Sequence, residues 1–145
     1  MRAREYDSAG RVKPYDDESI SSEARLVRYV HRCWLVPDGT GGRRLSKGAF
    51  SPSSEERDPY RGMSTEILDL ILNDGLSPTE RKPQEHEAVV TLKVEDLRSL
   101  GLLVGHDPID GVNPYHAGVW GITRALQKRL LQMCEWIDKP PDVRG

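Results

Sequence analysis

The apolar positions of the 145-residue chain fall into short runs with two different periods. HEAVVTLKV, 86–94, alternates strictly. Ala88, Val90, Leu92 and Val94 lie on one side, and Val89, Thr91 and Lys93 on the other. That period predicts a strand with the first set facing the core. RLVRYVHRCWL, 25–35, is rich in Val, Tyr and Trp and predicts a second strand. A helix starting near Ser21 is its rival, because Ala24, Val27 and Trp34 recur at roughly helical spacing. LLVG, 102–105, and YHAGVWGI, 115–122, complete the strands, and PDGTGG, 37–42, is a turn.

The helical period is clearest in TRALQKRLLQMCEWI, 123–137. Leu126, Leu130, Met133, Cys134 and Ile137 form one apolar stripe behind Thr123, a suitable N-cap. MSTEILDLILNDG, 63–75, predicts a buried helix, capped by Ser64 or Thr65 and stopped at Gly75. VEDLRSLG, 94–101, is a short helix. The succession β, α, β, α, β, β, α predicts a small α+β domain: a small mixed sheet with a few short helices and a C-terminal amphipathic helix.

Composition adjusts this outline. Only 37% of residues are hydrophobic, and mean hydropathy is −0.61. Residues 1–22 hold both charge signs with scattered Gly, Pro and Ser, and predict a flexible polar arm ordered by a partner. Residues 23–138 form the single domain, and 139–145 a tail. A net charge of −2 argues against general electrostatic binding of nucleic acid or an anionic membrane, although a local basic patch stays open. Cys33 and Cys134 form no CxxC pair and no disulfide scaffold, which suits a reduced, cytoplasmic setting. There is no secretory h-region at the start, and no apolar run near the ~20 residues that span a bilayer.

Candidate chemistry centres on histidine. His86 and His116 each open a strand. On neighbouring strands they would face each other across a cleft as general base and general acid, a metal-independent device for RNA or a nucleotide. The stricter H-x-[ST]-x repeat of two-histidine phosphoesterases is absent, since Glu87 and Ala117 follow the histidines and neither third position is Ser or Thr. The competing reading is that both histidines cap strand ends. Arg43, Arg44, Ser46 and Lys47 follow a glycine turn and could hold phosphate. They do not form a P-loop, and a solvated hairpin flank is the favoured reading of them. HDPIDGVNPYHAGVWGI, 106–122, is either a turn built on Asp107-Pro108 and Asn113-Pro114 or a loop presenting His106, Asp107, Asp110 and His116. His31 and Cys33 share a strand face but lack further ligands, so no metal and no cofactor is expected. GxSxG, HExxH and GxGxxG are absent.

RRLSKGAF, MST, EHEAVVTLKVEDLRSLGL and DPIDGVNPYHAGVWG occur in succession. That succession resembles a group of small bacterial proteins without an established activity, over about residues 26–122. The matching positions are Ser46, Phe50, Ser64, His86, Asp107, Pro108 and His116. The resemblance implies a bacterial origin and an accessory role in an operon. Three functions follow as expectations. The first is an interaction module without catalysis, whose partner is another protein, with the same operon as its candidate source. The second is a metal-independent enzyme using His86 and His116. The third is a phosphate- or nucleotide-sensing module.

Overall fold

A computed structural model describes residues 4–145. The alternating segment forms β5 (His86–Lys93), which pairs antiparallel with β1 (Arg25–His31) along its length. β4 (Met63–Ile67), β6 (Leu103–His106), β7 (His116–Trp120) and β8 (Glu135–Asp138) extend this sheet in the order β6-β7-β4-β1-β5-β8, with every pairing antiparallel. β2 (Leu35–Pro37), β3 (Arg43–Leu45) and β9 (Val143–Arg144) make a smaller sheet, in which β9 lies parallel to β3. With α1 (Leu68–Asn73), α2 (Val94–Ser99) and α3 (Arg124–Met133), the architecture is α+β.

One face of the large sheet holds the main core. Leu26, Val30, Ala88, Val90, Leu92, Ala117 and Val119 pack there with Phe50, Leu97 and Leu130. Leu35, Leu45 and Val143 bring the small sheet into the same core. The expected inward set of β5 does face this cluster. Its other face is covered too: Val89 packs with Val27, Ile71 and Tyr115, and Thr91 is buried. The short α1 covers what alternation alone would leave to solvent.

Four segments differ from expectation. The helix expected at 63–75 begins only at Leu68; Met63 to Ile67 form β4. β-branched Thr65 and Ile67 face inward with Met63, and a four-residue register with β7 secures the strand. The helix expected to reach 137 stops at Met133, because residues 135–138 pair with the open edge of β5. Leu130 is fully buried, whereas Ile137, the last residue of the expected stripe, is exposed. The expected tail supplies β9, and Val143 is buried.

Residues 4–22, expected to form an arm, lie against the sheet. Val12, Tyr15 and Ile20 are buried, and the Asp17 amide donates to the Val104 carbonyl at 2.8 Å. The Arg98 guanidinium donates to the Asp16 carboxylate and the Asp17 carbonyl. Gly105 permits this packing, since a Cβ there would overlap the Tyr15 ring. Among the described residues the helices are short, and none is long and apolar enough to cross a membrane.

Two measurements check this arrangement. Leu130→Ala should cost roughly 2–5 kcal/mol in urea unfolding, whereas Ile137→Ala should cost less than about 1 kcal/mol. Equal costs would restore the longer helix. In hydrogen exchange the Asp17 amide should be protected alongside β6, and exchange at the rate of free chain would detach this segment from the sheet.

Candidate catalytic site

The site follows from the register of β4 and β7. Ser64 lies opposite Gly118, and Glu66 opposite His116. Opposed residues share a face, so Ser64 and His116 are diagonal neighbours on the face away from the main core. The Ser64 hydroxyl meets His116 Nε2 at 3.1 Å. His116 Nδ1 lies 2.9 Å from the Asp107 carbonyl oxygen and 3.6 Å from its carboxylate. A carbonyl only accepts, so Nδ1–H donates to it. In the neutral imidazole this leaves Nε2 free to accept the serine proton. Serine, histidine and aspartate thus stand in the order nucleophile, base and orienting group.

The surrounding loops are fixed locally. The Asp107 amide donates to the His116 carbonyl, and His106 Nε2–H donates to the Pro114 carbonyl. Below them Glu66 is buried, with both carboxylate oxygens fully engaged. Oε1 accepts from the Tyr29 hydroxyl and Arg81 Nε; Oε2 accepts from Arg81 Nη2 and the Asn113 amide. Burial pushes the Glu66 carboxyl up, but these donors and the Arg81 charge outweigh it and hold its pKa below the ordinary value. The Arg81 guanidinium also lies over the Tyr115 ring, 4.5 Å from its centroid.

Two cavities meet at Ser64 and His116. The first, about 260 Å³, is bounded by Arg11, Val12, Arg57, Asp107 and Trp120. The expected arm therefore builds part of its wall. Gly118 keeps this side open: a Cβ there would stand 2.7 Å from the Trp120 ring. Arg57 makes no side-chain hydrogen bond or ion pair among the described residues. The second cavity, about 210 Å³, is bounded by Arg28, Tyr29, Glu66, Pro83, His86 and Asn113. It opens where β1 and β4 part. Their ladder covers only Leu26 with Ile67 and Val27 with Glu66, while β1 follows β5 to its end. Arg28 bridges the gap, donating to the carbonyls of Ala49 at 2.9 Å and Ser64 at 2.8 Å.

The residues expected from sequence are dispersed around this centre. β5 and β7 are not neighbours, because β1 and β4 lie between them. Three strand spacings, roughly 14 Å, separate His86 from His116, too far for a direct acid–base pair. His86 instead packs edge-on against His31, with ring centroids 5.3 Å apart, and its Nδ1–H donates to the Gln84 carbonyl. Both histidines still border the second cavity. Arg43 is held by Asp142 and Glu87, and Ser46 caps a turn by accepting from the Gly48 amide. Arg44 and Lys47 are exposed, and none of these four residues lines either cavity. Among the described residues no group of three or more His, Cys, Asp and Glu could hold a metal ion. Burial pushes the Cys134 thiol up to about 11, which disfavours its thiolate at neutral pH.

Sequence reasoning singled out His116 and Asp107 but read Ser64 as a helix cap and passed over Arg28. The signal for Ser64 was the alternation of Met63, Thr65 and Ile67 inward against Ser64 and Glu66 outward. No family model, no curated protein and no solved structure matches the chain.

Burial alone would lower the His116 pKa. The hydrogen bond to the Asp107 carbonyl and the charges of Asp107 and Glu66 outweigh it, so the pKa lies above the ordinary value. Asp107→Asn should therefore lower the His116 pKa in an NMR titration. A raised folded-state pKa stabilises fully below the unfolded histidine pKa, and the gain fades as pH rises through the folded value. The stability gap between wild type and Asp107→Asn should follow that course. An unchanged His116 pKa in the variant would remove Asp107 from the relay.

Proposed function

We propose that the protein is a metal-independent enzyme with Ser64 as nucleophile, acting on a carbonyl or phosphoryl ester. The observation that carries this reading is the hydrogen bond from Ser64 to the His116 nitrogen left free by Asp107. Ser64 Oγ would attack the electrophilic centre as its proton passes to His116 Nε2. The protonated imidazole then gives that proton to the departing alkoxide, leaving the group esterified to Ser64. Water, deprotonated in turn by His116, attacks the ester and restores the serine. Asp107 stabilises the imidazolium that forms in each half. Arg57 lies in the cavity that receives the negative charge developing in the transition state. The cavities on either side of Ser64 give room for the two halves of the scissile bond.

A specific observation also favours an accessory interaction role of the kind the bacterial resemblance implies. The tip of the loop between β6 and β7 exposes Ile109 and Val112, with Val112 76% exposed. Such an apolar tip suits contact with another protein.

A fluorophosphonate probe separates the two readings, because it labels activated serines without knowledge of the substrate. Wild type should gain one adduct, on the peptide containing Ser64, faster as pH rises through the His116 pKa. Ser64→Ala should abolish it, and His116→Ala should slow it by roughly 10²–10⁴-fold. Lys47→Ala, outside both cavities, should label like wild type. A folded wild type that is not labelled at Ser64 would overturn the enzyme and leave the interaction role standing.

A further inference from the structure

We infer that the cavity between β1 and β4 is an anion subsite, so that the substrate carries a carboxylate or phosphate beside the group Ser64 attacks. The inference rests on the reading of Ser64 as nucleophile, and it starts from an uncancelled charge. The Arg28 guanidinium lies in the gap where the two strands part. Its partners are backbone carbonyls alone: Ala49 at 2.9 Å, Ser64 at 2.8 Å and Ser51 at 3.4 Å. Among the described residues no carboxylate forms an ion pair with it. Three of its five N–H groups are used, and two remain.

The one carboxylate bordering the cavity cannot serve. Glu66 already accepts two hydrogen bonds on each oxygen, and its charge is matched by Arg81. The cavity therefore keeps the whole charge of Arg28. Burial brings the Arg28 pKa down to about 10, which still leaves it cationic at neutral pH. A crowded cation facing only dipoles is costly unless an anion completes it. The planar fork suits the two oxygens of a carboxylate or phosphate. His86 also lines the cavity, with Nε2 uncommitted, since Nδ1 serves the Gln84 carbonyl. The same guanidinium holds the Ser64 carbonyl. An anion on Arg28 would sit in the cavity that Ser64 also lines, which places it beside the ester along the substrate.

Glutarate and inorganic phosphate, with glycerol as the neutral control, can be titrated into the full chain at constant ionic strength. The Arg28 side-chain Nε–H and the Tyr29 and Ser64 amides report by NMR. One of the two anions should produce saturable shifts at these positions and slow fluorophosphonate labelling of Ser64; glycerol should do neither. The tighter of the two identifies the group as carboxylate or phosphate. Arg28→Lys keeps the charge but loses the fork, and should weaken binding about tenfold while keeping the fold. Shifts that never saturate, or that spread over exposed lysines and arginines alone, would overturn the subsite. Saturable binding without labelling of Ser64 would sink the nucleophile and leave the subsite. Labelling without binding would do the reverse.

Discussion

A single buried carboxylate fixes most of what surrounds the candidate centre. Glu66 brings Tyr29 of β1, Arg81 of the 76–85 connection and Asn113 of the 107–115 loop to one point. Each donor arrives from a different part of the chain. An ionised carboxylate below the surface must be matched by donors, so the three segments have no equivalent alternative placement. His116 lies directly across the ladder from Glu66, and Ser64 is two residues upstream. The geometry of serine, histidine and aspartate is thus set by an ion pair that neither gives nor takes a proton in the chemistry proposed for it.

The parting of β1 and β4 is the second constraint. A continuous ladder would close the sheet over Ser64 and leave one flat polar face. The strands diverge after Val27, and a guanidinium takes over the role of ladder donor to the Ser64 carbonyl. The irregularity costs backbone hydrogen bonds and yields a recess beside a reactive side chain. The N-terminal segment does similar work on the opposite side, where Val12 and Tyr15 pack around Trp120. Gly105 and Gly118 leave room for the two aromatic rings.

Most of β1 was legible from its Val and Tyr content, and β5 from its period-two alternation. Alternation was less legible in Met63–Ile67, where a five-residue strand runs straight into a helix and the combined apolar run mimics one longer helix. Residues 134–137 continue the stripe of α3 in sequence, yet the unpaired edge of β5 takes residues 135–138 as a strand. Local propensity cannot register an edge created by a segment over forty residues away. The polar composition of 4–22 concealed three residues, Val12, Tyr15 and Ile20, that are enough to dock it. At the site, His116 and Asp107 stood out by type and loop context. Ser64 and Arg28 carry their significance only through register and through the absence of a partner, and neither can be read along one dimension.

The parallel pairing of β9 with β3 has a consequence in time. Arg43 and Asp142, joined by a side-chain ion pair beside that ladder, stand 99 positions apart. On a ribosome the small sheet cannot close until residues 143–144 emerge, long after β1, β4 and β5 are free to pair. Until then β3 presents an open edge, with Leu45 lacking the cover that Val143 contributes to the same core. Closing so long a loop is slow relative to hairpin formation. The small sheet therefore closes by a late clasp between residues 43–44 and 143–144, and a nascent or clipped molecule lacking 143–144 would carry a strand edge ready to pair with another chain.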